Sequence, residues 1–220
     1  EYFNKRVQES DSALYVNGYC GEQSEISVKE EYDKIFFDLN RIIKILPNEK
    51  VLDVGCGTGE VLRRLSDLAG EARGIDLSEE MVRLTCEKGL QVEHYNGGAL
   101  PFDKEKFDCI VVNFVFANLP SLEIASHLIE EAHRVVTQNG RILIGTIHHP
   151  GKTGMPTHAG NWRMLVKELL GIKRPIQYFS YEYSFFTDEF DRLGFSRVSY
   201  FPCAVPLPGW DSKYHVLLNR

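Results

Sequence analysis

Nine residues, Val51-Leu52-Asp53-Val54-Gly55-Cys56-Gly57-Thr58-Gly59, restrict the fold more than any other stretch of the chain. An apolar run carrying an acid leads into three glycines at alternate positions. A helical pattern, Glu60-Val61-Leu62-Arg63-Arg64-Leu65, follows without a gap. A strand, a tight turn and a helix start leave bare peptide groups where side chains would otherwise stand, so this corner suits a nucleotide-type ligand. The dinucleotide fingerprint Gly-x-Gly-x-x-Gly needs a glycine where this chain has Glu60, which weakens a dehydrogenase reading.

The sequence around this corner alternates strands with helices. Ile35, Phe36, Leu39, Ile42, Ile43 and Leu46 recur at helical spacing and predict a helix over about 25–46, stopped by Pro47-Asn48. Strand 50–54 with helix 58–69 follows, then strand 72–76 with helix 78–87 capped by Ser78, then strand 91–95. Phe107–Asn113 is almost wholly apolar, as a strand covered on both faces should be. Helix 121–136 and strand 141–147 complete the alternation, joined by the turn Asn139-Gly140. Residues 148–175 are rich in Gly and Pro and predict a loop-rich insertion with one helix at about 161–170. Thr187 is read as the cap of a helix ended by Gly194, and 195–201 and 213–218 as two final strands, the last antiparallel. The fold class expected is α/β: a doubly wound, mostly parallel seven-stranded sheet with helices on both faces and a terminal antiparallel strand.

Composition narrows the function. With 220 residues, 43% of them hydrophobic, the chain is long enough for one sizeable core. A net charge of −6 argues against non-specific nucleic-acid binding, which rests on neutralising phosphates. The cysteines Cys20, Cys56, Cys86, Cys109 and Cys203 are scattered, without a Cys-x-x-Cys pair, so no disulfide framework or zinc site is expected and a reducing, cytoplasmic setting is. No apolar run approaches the ~20 residues of a membrane span, and the first residues lack the apolar core of a signal peptide.

The Gly-x-Gly-x-Gly spacing, with Asp53 two residues before the first glycine, resembles motif I of the class I S-adenosylmethionine-dependent methyltransferases. Three further blocks extend the resemblance through about residues 48–147. Gly74-Ile75-Asp76-Leu77-Ser78 resembles the family's second motif. Asn96-Gly97-Gly98-Ala99-Leu100-Pro101-Phe102 followed by Phe107-Asp108 resembles the Leu-Pro-Phe block of the small-molecule branch, with Asn96 where the family usually has Asp. Glu131–Gly140 resembles the Glu-x-x-Arg-Val-Leu-Lys-Pro-Gly-Gly stretch, with Asn139 replacing a glycine.

The resemblance implies S-adenosyl-L-methionine as cofactor, S-adenosyl-L-homocysteine as product, and a role for each matching residue. Asp53 orients the methionine end. Gly55, Cys56, Gly57 and Gly59 let the cofactor pass close to main chain. Asp76 binds the ribose hydroxyls, since a carboxylate accepts two hydrogen bonds and has none to donate. Leu77 packs on adenine, Asn96 accepts from its amino group, and Gly97 and Gly98 border it. Asn113, at the carboxyl end of its strand, faces the methionine portion. His148 and His149, just past the 141–147 strand, are the candidate general base for a substrate hydroxyl, because imidazole titrates near neutral pH. No His, Cys and acid set has metal-ligand spacing, so no metal is expected.

Substrate selection is expected at the two less regular parts of the chain. A single methyltransferase domain over 1–220 would comprise a helical cap at 1–46, a cofactor core at 47–147, a substrate-side insertion at 148–186, and a C-terminal helix with antiparallel strands at 187–220. The first 24 residues would close over the cofactor. Tyr15 and Tyr19, then Trp162, Tyr178, Phe179, Tyr181, Tyr183, Phe185 and Phe186, form either an aromatic pocket or a packing wall. The late run reads as extended, with Tyr181 and Tyr183 sharing a face with Phe179 and Phe185. The expected function is methyl transfer to a small molecule, with oxygen favoured over nitrogen or carbon. The alternatives are methylation of protein or RNA, or a non-catalytic cofactor-binding module. Oligomeric state is left open. Asn118-Leu119-Pro120-Ser121 matches the Asn/Asp-Pro-Pro-Tyr of amino-methyltransferases poorly, which counts against nucleobase methylation.

Overall fold

A computed structural model describes residues 25–150, 179–205 and 211–220, with side chains from residue 29 onward. The strands are β1 (Lys50–Val54), β2 (Glu71–Asp76), β3 (Val92–His94), β4 (Phe107–Asn113), β5 (Val136–His148), β6 (Arg197–Pro202) and β7 (Lys213–Asn219). They form one seven-stranded sheet in the order β3-β2-β1-β4-β5-β7-β6. The pairs from β3 through β5 are parallel, and β7 runs antiparallel to both β5 and β6. The chain therefore forms the expected doubly wound sheet with an antiparallel ending. Strand order reverses between β1 and β4, and sheets of this kind open a crevice beyond the strand ends at such a point.

Helices α1 (Glu25–Ile43), α2 (Glu60–Ser66), α3 (Glu79–Glu87), α4 (Leu122–Val135) and α5 (Tyr183–Leu193) cover the sheet. On one face, Ile35, Leu39 and Ile43 of α1 and Leu62 and Leu65 of α2 pack with Val51, Cys109, Val111 and Leu143. On the other, Leu128, Ile129 and Ala132 of α4 and Phe186 of α5 pack with Leu52, Ile110, Val112 and Ile144. Successive β4 side chains thus enter different cores, as the period of two requires, and an unbroken apolar run is what two covered faces demand. Each such side chain contributes about 1.5–3 kcal/mol by leaving water. No helix among the described residues is long and apolar enough to cross a membrane.

Several local expectations are corrected. The first helix stops at Ile43, before Pro47: Lys44 turns left-handed (φ 54°) and the Asn40 side chain accepts from Ile45 N at 3.0 Å. Thr187 lies inside α5, donating to Tyr183 O at 3.2 Å, and the N-cap is Glu182. The 178–186 run is not a continuous strand: Ser180 makes one bridge to His148 and the helix begins at Tyr183. Strand β5 starts at Val136, because Val136 already pairs with Phe107 ahead of the Asn139-Gly140 turn. The proposed lid at 1–24, and the 151–178 stretch with its expected helix, Trp162 and Tyr178, lie outside the described residues.

Candidate active site at the strand ends

The glycine loop is held in place from three sides. Gly55, Gly57 and Gly59 all have positive φ, at 72°, 54° and 82°. At Gly55 the constraint is double: a Cβ would also fall 2.4 Å from Val115 Cγ2. Gly55 N and Cys56 N donate to Ile75 O at 2.8 and 3.1 Å, tying the loop to β2. Asp76, ending β2, accepts from Gly57 N (2.8 Å) through Oδ2 and from Ser78 N (2.9 Å) through Oδ1. Thr85 of α3 donates its hydroxyl to Gly57 O at 2.8 Å. Ser78 caps α3 by accepting from Met81 N at 3.2 Å, as its position before the helix predicted.

These elements wall a cavity of about 490 Å³, within the ~300–1,000 Å³ common for small-molecule sites. Of the residues singled out in sequence, Asp53, Gly55, Cys56, Gly57, Asp76, Leu77, Asn96, Gly97 and Asn113 line it. Gly59 and Gly98 stand outside. Gly59 caps α2, and Gly98 N donates to Asn96 Oδ1 at 3.2 Å while its carbonyl accepts from the Tyr95 hydroxyl. The other lining residues are Tyr32 of α1, Glu60 and Val61 of α2, Met81 of α3, Phe114 and Val115 after β4, Asn118, Leu119 and Pro120, and Ile124 of α4. The first three residues of the unfitting Asn118–Ser121 tetrapeptide are part of this wall. Ser121 caps α4 by accepting from Ile124 N at 3.3 Å. Phe114 is left-handed at φ 60°, a costly backbone state for a bulky residue and one that clusters at functional sites.

Electrostatics set the cavity's preference. Asp53 is 2% exposed, and its Oδ2 has no hydrogen-bond partner among the described residues. Burial, with the Asp76 carboxylate nearby, pushes its pKa up to about 8. Burial also raises Asp76, against the pull of three backbone N–H groups. A buried acid and a half-buried one facing one cavity call for a cation. A sulfonium ligand with an ammonium group at one end and a ribose to hydrogen-bond fits these acceptors, and the crowded peptide loop leaves no room for side chains there. Burial raises the Cys56 thiol far above its ordinary range, which makes it a wall and not a nucleophile.

The histidine pair is not brought into this cavity. His148 is 9% exposed, its backbone carbonyl accepts from Tyr181 N, and burial beside Lys213 pushes its pKa down to about 4. The His149 ring packs edge-on against Tyr183 and Tyr214, at 5.1 and 6.0 Å between centroids. Neither residue lines the cavity among the described residues. Of the aromatic run, Phe179, Tyr181 and Phe186 are core, which favours the packing wall for those positions.

Comparison with known proteins converges on the same corner. Residues 52–144 match a family described as a methyltransferase domain. A demethylmenaquinone methyltransferase of Bacillus cytotoxicus is 35% identical over 124 residues, 52% of this chain and 51% of that protein. A protein of Methanocaldococcus jannaschii without an assigned activity is 35% identical over 127 residues, 54% of this chain and 58% of that protein. The chain thus spans about half the length of the curated relatives it matches. The magnesium protoporphyrin IX methyltransferase of Synechocystis, solved with S-adenosylhomocysteine bound, superposes with a TM-score of 0.62 at 17% identity, covering 99% of this chain and 95% of that one. Residues 52–144 thus match a methyltransferase domain, and the sheet they help to build has the fold of solved methyltransferases.

Proposed function

We propose that the chain transfers the methyl group of S-adenosylmethionine to a small, largely apolar acceptor. The observation that carries this is the apolar part of the cavity lining, to which Phe114, Val115, Leu119, Pro120 and Ile124 contribute beside the polar residues. Apolar side chains there exclude water and favour an apolar acceptor.

In this reading Asp53 holds the cofactor's ammonium group and Asp76 its ribose, while the Gly55–Gly57 backbone lies along its chain. Leu77, 60% exposed in the described residues, covers the adenine between Asn96 and Gly97. When bound, the cofactor supplies an electrophilic methyl on a good leaving group. The protein's task is then alignment and exclusion of water, which supply much of such an acceleration. The preference for an oxygen acceptor rested on His148 and His149. With neither on the cavity wall, oxygen, nitrogen and carbon acceptors are separated by assay and not by a base.

The test is transfer of labelled methyl from S-adenosylmethionine into three pools: apolar small molecules, protein and RNA. Demethylmenaquinone, from the name of the Bacillus relative, is the first acceptor to include. Label in the organic extract supports the proposal; label confined to protein or RNA overturns it.

A further inference from the structure

A line of buried polar side chains runs from α1, across the sheet, to the cavity. Asp38, Thr146 and His215 are 2%, 1% and 1% exposed, and Asn113, where the line reaches the cavity, is 7% exposed. Strand β5 loses register with β7 between Ile144 and Ile147, and Thr146, in that bulge, is left-handed at φ 56°. A β-branched residue rarely takes that conformation, and bulges beside active sites commonly re-aim a side chain. Instead of joining the β7 ladder, Thr146 N donates to His215 Nδ1 at 3.1 Å.

That bond fixes the imidazole. A backbone amide can only donate, so Nδ1 accepts and the ring carries its proton on Nε2. Nε2 lies 3.1 Å from Asp38 Oδ2, which also accepts from Ala204 N at 2.8 Å; Arg41 donates to Oδ1 at 2.7 Å. Asp38, His215 and Cys203 bring one donor atom each within 4.8 Å of one another. The Arg41 cation and these hydrogen bonds already use the carboxylate, so the trio reads as a scaffold and not a metal site.

At the cavity end the Thr146 hydroxyl donates to Asn113 Oδ1 at 2.8 Å. The carboxamide oxygen sits against Gly145, where a Cβ would fall 2.6 Å from it. With Oδ1 drawn back, the amide Nδ2 is the carboxamide atom left for the cavity that Asn113 lines. At the methionine end of the cofactor, ammonium and sulfonium offer no useful acceptor, and the carboxylate does. We propose that Asp38, His215 and Thr146 are positioning residues that turn Asn113 so that its amide donates to the carboxylate of S-adenosylmethionine. The proposal rests on the cofactor site described above and assigns one end of the ligand within it: Asp53 takes the ammonium and Asn113 the carboxylate.

Calorimetry on the full chain tests this, with S-adenosylhomocysteine, S-adenosylmethionine and decarboxylated S-adenosylmethionine as probes. Thr146→Val keeps the shape and removes only the hydroxyl. It should weaken binding of the first two about tenfold, the scale of one charge-assisted hydrogen bond. Thr146→Ser should restore binding. Asn113→Ala should lose as much as Thr146→Val, and the double variant no more than Asn113→Ala alone, because Thr146 acts through Asn113. The decarboxylated probe should bind all of these alike. Should Thr146→Val fail to fold, Asn113→Asp decides: its oxygen still accepts from Thr146, but a second oxygen replaces the donor. It should bind the carboxylate-bearing probes worse than Asn113→Ala and the decarboxylated one no worse. Unchanged binding in folded Thr146→Val, additive losses, or equal losses with the decarboxylated probe would each overturn the assignment. If the wild-type chain binds none of the probes, the cofactor site itself fails and takes this assignment with it.

Discussion

Glu49, just before β1, and Asp53, near its far end, are both buried carboxylates, and the fold treats them in opposite ways. At the amino end, Glu49 accepts from Arg141 through both oxygens, at 2.7 and 2.8 Å, and from Leu46 N at 2.8 Å. Burial would raise its pKa, but Arg141 and the Leu46 amide outweigh it and hold the group below the ordinary range. Among the described residues no cation pairs with Asp53; a second acid lies nearby, and the Asp53 pKa is pushed up to about 8 by burial first and Asp76 second. One acid is neutralised within the protein; the other is left to a ligand. An uncompensated charge costs stability, so it persists where binding supplies the counter-charge.

The comparison can be broken most forcefully at Arg141. Arg141→Met should leave Glu49 buried and unpaired and cost about 3 kcal/mol in urea unfolding, with cofactor affinity per folded molecule unchanged. A variant as stable as the parent would mean that the pair contributes nothing. Asp53→Asn should do the reverse: stability held or raised, and S-adenosylmethionine binding weakened roughly thirtyfold, about 2 kcal/mol. If melting temperature and affinity drop together, the acid is structural.

The pH dependence sharpens the contrast. With a folded pKa of about 8 against 3.8 for the free side chain, Asp53 binds a proton in the folded chain that the unfolded chain has lost. Its contribution to stability is therefore present below about pH 4 and is lost progressively as pH rises to about 8. Binding needs the carboxylate, so affinity for S-adenosylmethionine should climb about tenfold between pH 6 and pH 7, and Asp53→Asn should flatten that climb. A pH-independent affinity in the parent would remove Asp53 from contact with the ammonium. The smallest effect is expected at Ser78→Ala, which removes the α3 cap beside Asp76 and should cost about 1 kcal/mol by thermal melting, while Asp76 keeps its bond to the residue-78 amide.

The motif-bearing half of the site was legible because its information is local. Asp53, the glycine loop, Asp76 and Leu77 lie within two consecutive strand-to-helix connections, where turn chemistry and strand patterning can be read residue by residue. The apolar part of the wall was not, because Tyr32, Phe114, Leu119 and Ile124 meet only once α1, β4 and α4 have packed. The late aromatics misled for a physical reason. Aromatic richness reads as strand, yet Phe186 is fully buried between α4 and the sheet, and that packing carries the segment as a helix from Tyr183. His148 and His149 were placed by order along the chain. Order gave the correct end of the sheet, but could not show that the bulge at Thr146 and the bridge to Ser180 anchor that segment against Tyr181 and Tyr214.

Strand β7 comes after β6 in sequence and lies inside it in space, holding β6 on one side and β5 on the other. A growing polypeptide that has already emerged through β6 therefore still presents the naked border of β5, since the strand that seals it has yet to be made. Self-association on the ribosome is the hazard this topology creates, and the long wait before Leu217 meets Leu143 is when a chaperone would matter most.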